Sequence, residues 1–395
     1  MKNQSSQQFT ERTAFDDWRS ISLSLFMTLV GYGVMVGIPV ISTAWSELLY
    51  FSEEQVGRVA GADLGGLSFG AMITALTIAR VNRKILVLTG ACLAIFANYL
   101  CTIFYQYEFV LWLRVLSGIG SGIYTAVAVA ALGATIKPTR AFNLMLFLFA
   151  FSQAFEMRVL PTLTMNGIYY FFIGGFTLSL IFIHWVQPYA IKTETTSQNK
   201  NKQSGLVLPL YIPWLCMAAI FFTYINIGAY WTYIELASLN AGIDKDWVGG
   251  ILVWSSLLSI IGCAFATIVS DLFGLARPLL AALITMAIIV GMLALGITNI
   301  NLLISVFMFN FLWIFIDVYQ YSTVASVDSA GSFTAFIVCA QGLGNIVGPN
   351  IAASMLGGGF SYSTVFFMCA MFAIGGMLVY MIMDIRLRYY RDTVY

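Results

Sequence analysis

Charged residues are scarce in this chain of 395 residues. Lys, Arg, Asp and Glu make up 9% of it, against about 25% in an ordinary soluble domain. Apolar residues make up 60%, and the mean hydropathy is +0.86. A soluble domain of this length could not bury so much apolar surface. The net charge of +1 also gives no basic surface for nucleic acid. The composition therefore predicts a protein embedded in a lipid bilayer, with no nucleic-acid partner.

Groups for metal binding and catalysis are equally scarce. His184 is the single histidine, which argues against a histidine-based metal site, a catalytic triad or a lipid-acting membrane enzyme. The six cysteines lie in apolar stretches without a Cys-x-x-Cys spacing, so we interpret them as small apolar residues. No phosphate-binding Gly-x-x-x-x-Gly-Lys-Ser/Thr motif occurs, which argues against a pump driven by ATP. We expect no metal, no cofactor and no enzymatic activity.

Twelve apolar runs are long enough to span a membrane, since a spanning helix needs about 20 mostly apolar residues. The polar segment 188–207 separates the first six runs from the last six. We therefore predict an all-α membrane protein with bundles at 20–187 and 208–385, a linker at 188–207 and tails at 1–19 and 386–395. The predicted runs are 20–48, 55–79, 84–105, 108–135, 140–164, 167–187, 208–239, 247–270, 277–297, 300–325, 331–357 and 362–385.

The basic residues predict the orientation in the membrane. If the N-terminus is cytoplasmic, 15 of the 19 Lys and Arg residues fall in cytoplasmic segments, and only Arg58 and Lys245 fall on the other side. Cytoplasmic loops carry an excess of Lys and Arg in membrane proteins. We therefore expect a multi-pass protein of the cytoplasmic (inner) membrane with both termini in the cytoplasm.

Short motifs repeat between the two halves. The second run opens with Gln-Val-Gly-Arg at 55–58, and the eighth opens with Trp-Val-Gly-Gly at 247–250. After the eighth run, Asp271, Gly274 and Arg277 resemble the loop signature that major facilitator proteins carry between helices 2 and 3 and between helices 8 and 9. The fourth run contains an arginine followed by glycines at 114–122, which is similar to helix 4 of that family.

The resemblance implies two pseudo-symmetric six-helix bundles with a substrate cavity between them, and transport by alternating access. In the family, helices 1, 4, 7 and 10 line this cavity. By resemblance these helices supply Tyr32, Tyr124, Tyr230, Trp231 and Gln320. Amide side chains in the fifth and eleventh runs add three candidates for the cavity, namely Gln153, Gln341 and Asn345.

Ionisable residues inside spanning helices are costly and usually mark function. At a rise of about 1.5 Å per residue, Asp63, Arg114, Glu156 and Arg158 lie about 9–12 Å below the outer face of the membrane, and Asp317 lies about 25 Å below it. The four in one layer sum to zero charge and form either a static network or a set in which a carboxylate exchanges a proton. The fifth is either a gate residue or a contact for substrate or proton. The four are Asp63, Arg114, Glu156 and Arg158, and the fifth is Asp317. Glu235, near the outer end of the seventh run, is expected to reach water.

These features favour a secondary active transporter of a small organic solute, driven by protons, with sodium as the alternative ion. The two arginines allow an organic anion, and the aromatic side chains allow a planar or amphiphilic solute. A proton-driven efflux antiporter for drugs or metabolites is one alternative. The Gly-Pro signature of helix 5 in such antiporters is found here in the eleventh run instead, at Gly348-Pro349. A transporter-like sensor or scaffold is the alternative of another class.

The expected partners are a small-molecule substrate, a coupling ion (H⁺) and the bilayer, and we expect a monomer.

Overall fold

The computed structural model describes residues 14–188, 209, 211–327 and 332–394, and these residues form helices and connecting loops with no strand. The first half of the chain forms α1 (Trp18–Leu49), α2 (Glu53–Thr77), α3 (Arg83–Cys101), α4 (Tyr107–Gly133), α5 (Pro138–Val159) and α6 (Met165–Ile181). The second half forms α7 (Tyr211–Asn240), α8 (Lys245–Ser256), α9 (Leu258–Phe273), α10 (Ala276–Gly291), α11 (Asn299–Val327), α12 (Ser332–Gly357) and α13 (Tyr362–Val394).

The predicted number of spans is confirmed in the described residues. Eleven helical stretches are long and apolar enough to cross a membrane, and α6 adds a shorter apolar helix of 17 residues. Large apolar side chains are exposed along the outside of the bundle, including Trp112, Ile268 and Phe367. Such a surface is compatible with lipid rather than with water. The protein is a multi-pass membrane protein.

The eighth span differs from its prediction as one helix at 247–270. It consists of α8 and α9, with a break at Leu257. Next to the break, the hydroxyls of Ser255 and Ser256 donate to the carbonyl of Leu252 at 3.1 and 2.8 Å, and Ser259 donates to the carbonyl of Ser256 at 2.8 Å. Hydroxyls that bond back to the preceding turn compete with the backbone and bend a helix.

Matching caps begin the repeated helices. Ser52 and Gln55 form a capping box at the start of α2, with bonds of 3.2 and 3.0 Å. At the start of α8, the side chain of Asp244 accepts a bond from the Trp247 N–H at 3.0 Å. Each cap satisfies a backbone donor that the first helical turn leaves free. The repeated segment therefore starts a helix in the same way in both halves.

The two halves pack their helices in the same pairs. In the first half, α1 contacts α5 and α6, α3 contacts α4 and α6, and α2 contacts α4. In the second half, α7 contacts α12 and α13, α10 contacts α11 and α13, and α9 contacts α11. These are the same pairs when spans 1–6 are matched to spans 7–12 in order. The fold is therefore two pseudo-symmetric bundles of six spans.

Glycines bring α2 and α4 into backbone contact. A Cβ added to Gly66 or Gly70 would overlap the backbone of α4 at Val115 or Ile119, and one added to Gly118 would overlap the backbone of α2. Small residues are the usual means of close helix packing in membranes. These glycines therefore set the separation of the two helices that carry Asp63 and Arg114.

In the described residues the halves meet mainly along α2 with α12, α1 with α7, and α5 with α8, with smaller contacts of α5 with α9 and of α2 with α7. We call the side on which α1 begins the N-terminal face, and the side on which α1 ends the distal face. The hydrogen bonds that join the halves in the described residues lie between mid-depth and the distal face. They include Lys245 to Glu47 at 2.6 Å and Tyr233 to the carbonyl of Glu53 at 2.7 Å. The protein is thus closed toward the distal face.

Candidate functional site

A buried ion pair joins α2 and α4. Arg114 donates through Nε to Oδ2 of Asp63 at 2.8 Å, and its Nη2 contacts the same oxygen. The side chains are 2% and 4% exposed. The pair is possible because the glycines of α2 and α4 allow the two backbones to approach closely.

The third nitrogen of this guanidinium also has a polar partner. Arg114 Nη1 donates to Oδ1 of Asn98 on α3 at 2.8 Å, and Asn98 donates to Ser117 at 2.9 Å. The ring of Tyr169 on α6 lies 5.9 Å from the guanidinium carbon. The network therefore holds α2, α3 and α4 together, with α6 beside it. It does not include α5, which the sequence had suggested as a member.

Glu156 lies apart from this pair, on α5 against α1. It is 3% exposed, and its Oε1 accepts a long bond of 3.4 Å from Ser152, while its Oε2 has no partner in the described residues. The carboxyl fits beside α1 because Gly33 and Gly37 have no side chain. A Cβ at these positions would lie 3.1 Å from Oε1 and 2.7 Å from Oε2, respectively. Glu156 is thus a buried carboxyl to which no described cation is bonded.

Arg158 differs in its surroundings from the other predicted charges. It is exposed and lies in the last turn of α5, next to the distal face. Positions two apart on a helix point to different sides, which explains why Glu156 is buried and Arg158 is not. The four charges predicted to share one layer therefore separate into a closed pair, a lone carboxyl and an exposed guanidinium.

Asp317 on α11 belongs to a polar and aromatic group on the N-terminal side of the bundle. Tyr224 of α7 donates its hydroxyl to the Asp317 carboxylate, 2.9 Å from each oxygen. Tyr321, one turn further along α11, is 40% exposed and donates to Oε1 of Gln341 on α12 at 3.1 Å. Across the boundary, Tyr32 of α1 lies in the neighbourhood of Tyr321. Both halves therefore contribute to this group.

A chain of amides joins the halves at mid-depth. Gln153 of α5 is 6% exposed and donates to Oδ1 of Asn310 on α11 at 3.2 Å. Asn310 donates in turn to Ser255 of α8 at 3.1 Å, beside the break in the eighth span. Near it, the indole N–H of Trp231 on α7 donates to the carbonyl of Val36 on α1 at 3.3 Å. Gln153 and Trp231 are thus contacts between the halves.

The other predicted cavity residues pack inside one half. Tyr124 is fully buried with its ring 5.0 Å from that of Phe176, and Tyr230 stacks on Phe309 at 4.0 Å. Gln320 and Asn345 pack inside the second half. Gln320 donates to Thr223 at 3.0 Å, and Asn345 lies against Gly228. These residues were chosen as cavity residues because they are polar or aromatic and lie in the middle of a span. Residue type does not indicate which side of each helix faces the other half.

The predicted loop motif lies between α9 and α10. Gly274 has a φ of +68°, a left-handed conformation that glycine adopts without strain and that commonly ends a helix. Arg277 is exposed in the first turn of α10. The side chain of Asp271 lies outside the described side chains.

Two polar side chains of α7 were not part of the predicted site. Tyr224 is the donor to Asp317, and its place in a run of polar and aromatic residues on α7 was the one signal for it. Glu235 is 3% exposed, so the expectation that it reaches water is wrong in this conformation. The cause is the contact between α1 and α7, which covers the distal end of α7.

The family model of the Major Facilitator Superfamily matches residues 22–349 of the chain. The chain belongs to the major facilitator superfamily. This confirms the resemblance found in its motifs. Family membership and the structural neighbours indicate a transporter rather than an enzyme. No curated protein sequence matches the chain.

Solved structures of other members share the fold of this facilitator protein. The nucleoside transporter NupG superimposes with a TM-score of 0.68 at 13% identity, covering 92% of this chain and 99% of its own. A D-xylose-proton symporter has a TM-score of 0.68 at 17% identity, with coverage of 91% and 95%. The human organic anion transporter MFSD10 has a TM-score of 0.61 at 12% identity, with coverage of 91% and 97%. At these identities the likeness concerns the fold.

Proposed function

We propose that this facilitator protein is a proton-coupled secondary transporter of a small organic solute, working by alternating access. The observation that carries the coupling is Glu156, a buried carboxyl with one unpartnered oxygen. The structural likeness to a D-xylose-proton symporter supports the same type of coupling. Asp317 is the second candidate carrier, and Asp63 is assigned a structural role because Arg114 neutralises it.

Glu156 is placed where movement of the halves changes its surroundings. It lies between α5 and α1, and these helices contact α8 and α7 of the other half. An ionised carboxylate buried without a partner costs several kcal/mol. Glu156 therefore holds a proton in the present conformation. Rocking of the halves that separates α1 from α7 and α5 from α8 admits water to this region, and the proton leaves.

The solute binds at the group formed by Tyr32, Tyr321, Gln341, Tyr224 and Asp317. These side chains offer phenol, amide and carboxylate groups on helices of both halves, which is the composition expected of a small-molecule site. Alternating access requires contacts from both halves because the same solute must be released to either side.

The charges near this site favour a neutral or cationic solute over an anion. The case for an organic anion rested on Arg114 and Arg158. Arg114 is closed off by Asp63 and Asn98, and Arg158 is exposed near the distal face. Neither guanidinium belongs to the group around Asp317, which carries one acidic and no basic side chain. A carboxylate flanked by aromatic rings suits a hydroxylated or amine-bearing solute.

The excess of Lys and Arg on one side supports the topology we propose. The N-terminal face is cytoplasmic, the distal face is external, and the membrane is the cytoplasmic (inner) membrane. The bundles at 20–187 and 208–385 move as two units joined by the 188–207 linker, within a monomer. In this topology the described conformation is closed to the outside. It is the state from which solute exchanges with the cytoplasm.

The test uses purified protein in proteoliposomes with a pH-sensitive dye inside. An inward proton gradient is imposed, and sugars, nucleosides, organic cations and organic acids are added in turn. We expect one class of neutral or cationic solute to move protons in the wild type. With Glu156→Gln, solute exchange should continue while proton movement and gradient-driven accumulation are lost. Asp317→Asn should weaken both.

Arg158→Gln is the matched control, since it lies two residues from Glu156 but is exposed, and it should behave as the wild type. Proton movement opposite in direction to the solute would identify an antiporter and so favour the efflux alternative. Transport without any proton movement would overturn the coupling. A protein that moves no solute under any gradient would favour the sensor or scaffold alternative.

A further inference from the structure

Glu235 is a second buried carboxyl, and it lies at the boundary between the halves. It is five residues from the distal end of α7 and is 3% exposed, and its Oε2 has no partner among the residues that the structure describes. Thr43 on α1, whose hydroxyl donates to the carbonyl of Pro39 at 3.2 Å, lies next to the carboxyl from the opposite half. Buried polar groups are usually hydrogen-bonded, so a carboxyl with so little hydrogen bonding is unusual at a contact that only has to hold α1 and α7 together.

The charged groups around Glu235 do not neutralise it. Lys245 and Glu47 are the two that act on it, but the Lys245 ammonium is bonded to Glu47 at 2.6 Å, and both are about half exposed. Tyr233, two residues earlier, points to a different neighbour. It donates to the carbonyl of Glu53 on α2, and the charges of Glu53 and Arg58 face that side of α7. The Lys245–Glu47 pair thus joins the halves near a carboxyl that forms no ion pair within the described part of the chain.

We propose that Glu235 is the proton-binding group of the distal gate, protonated while α1 and α7 are in contact and ionised when they separate. The reason is the asymmetry of its surroundings. In the closed state an ionised Glu235 would be a buried, unpaired charge, which is strongly unfavourable. In an open state the same carboxylate is hydrated. Proton release from Glu235 therefore favours opening, and proton binding favours closure, by thermodynamic linkage.

This inference extends the proposed proton coupling, because it supplies the site at which the external side exchanges a proton. It is also distinct from Glu156, which lies on α5 within the first half. Transport with two carboxyls, one at the gate and one between α1 and α5, would make opening toward the outside depend on external pH.

The test measures the distance between α1 and α7 at the distal face, and it does not measure transport. Spin labels are placed at Leu48→Cys and Ala241→Cys after the native cysteines have been replaced by alanine. Both positions are exposed, the first at the distal end of α1 and the second directly after α7. Distances are recorded in nanodiscs from about pH 5 to about pH 9, a range that covers desolvated carboxyls. In the wild type, a longer distance should gain population as the pH rises, by up to about tenfold in the open-to-closed ratio per pH unit for one proton.

The Glu235 variants are compared in a Glu156→Gln background, because Glu156 would also release a proton when α1 and α7 separate. In Glu235→Gln the short distance should then persist at every pH, and Glu235→Asp should retain the pH response. Glu47→Gln is the matched control, because it neutralises an exposed carboxylate of the same gate and should leave the response in place. A wild type without a pH response, or a Glu235→Gln variant that responds as the wild type does, overturns the inference. Since the readout needs no solute, a pH-dependent gate in a protein that fails the proteoliposome test would leave this inference standing while the proposed transport failed.

Discussion

The guanidinium of Arg114 lies against the carboxylate of Asp63 at 2.8 Å, at a point where α2 and α4 are close enough for backbone contact. The ion pair and the close packing of the two helices depend on each other. Gly118 is one turn beyond Arg114 and lies against the backbone at Asp63, so the small residues set the distance over which the ion pair forms. Because the pair also contacts Asn98 of α3, it stabilises the core of the first bundle.

Removal of one partner should therefore destabilise the protein. Asp63→Asn or Arg114→Gln leaves a buried group without its counter-charge, which typically lowers the free energy of unfolding by about 3–5 kcal/mol. The double variant Asp63→Leu/Arg114→Met removes both charges and should recover much of the loss. Thermal unfolding of purified protein in detergent measures this, with the exposed Arg158→Gln as control. Single variants as stable as the wild type would show that the pair contributes little.

Gly118 should not tolerate a side chain. In Gly118→Val the added atoms would overlap the backbone of α2, and backbone cannot move aside as a flexible side chain does. We expect a loss of at least about 1–3 kcal/mol, the usual result of overpacking, and poor recovery of folded protein. Gly174→Val is the matched control, since nothing lies within 4 Å of a Cβ at that position of α6. Size-exclusion profiles and unfolding temperatures compare the two, and equal behaviour would contradict the packing role of Gly118.

Most of the fold could be predicted from the sequence because its signals are local. Hydropathy marks each span, and Lys and Arg in the loops mark the alternation of sides. The break at Leu257 was not predicted, because the serines that cause it are compatible with a continuous helix until their hydroxyls bond to the backbone.

The site was harder to predict than the fold, for physical reasons that Glu156 and Glu235 illustrate. Depth along a helix follows from residue number, so a layer containing Asp63, Arg114 and Glu156 could be expected. The partner of each charge depends on helix rotation and on the contact between the halves, which no local pattern specifies. Glu235 is covered by α1, whose position is set by tertiary packing.

Arg58 should help to hold the distal face closed. It donates to Asn350 at 3.1 Å and to Ser354 at 2.9 Å on α12, and bonds that involve a charged group contribute about 1.5–3 kcal/mol each. In Arg58→Ala we expect the population open at the distal face to rise at least about tenfold, since a factor of ten corresponds to about 1.4 kcal/mol. The measurement is the rate at which a water-soluble maleimide labels a cysteine placed at Ala353, in a protein whose native cysteines have been replaced by alanine. Ala353 is fully buried and lies against Gly57 near the distal start of α2.

Glu54→Gln serves as the control for Arg58. It removes the ion pair within α2, between Glu54 and Arg58 at 3.3 Å, and such pairs one turn apart contribute only about 0.2–0.5 kcal/mol. It keeps the bonds from Arg58 to α12. Labelling in Glu54→Gln should therefore stay close to that of the wild type. If Arg58→Ala and Glu54→Gln are labelled at the same rate, the bonds to α12 do not control closure.

Two buried asparagines of the second bundle should respond in opposite ways to the same substitution. Asn310 bonds to both Gln153 and Ser255, so Asn310→Leu leaves buried polar groups unsatisfied and should lower the free energy of unfolding by about 1–3 kcal/mol per group. Asn226 is fully buried, with no partner for either side-chain atom in the described residues. Asn226→Leu removes that desolvation penalty and should be neutral or stabilising. Thermal unfolding of the two purified variants decides the matter, and a strongly destabilised Asn226→Leu would show that this amide is paired in the membrane-embedded protein.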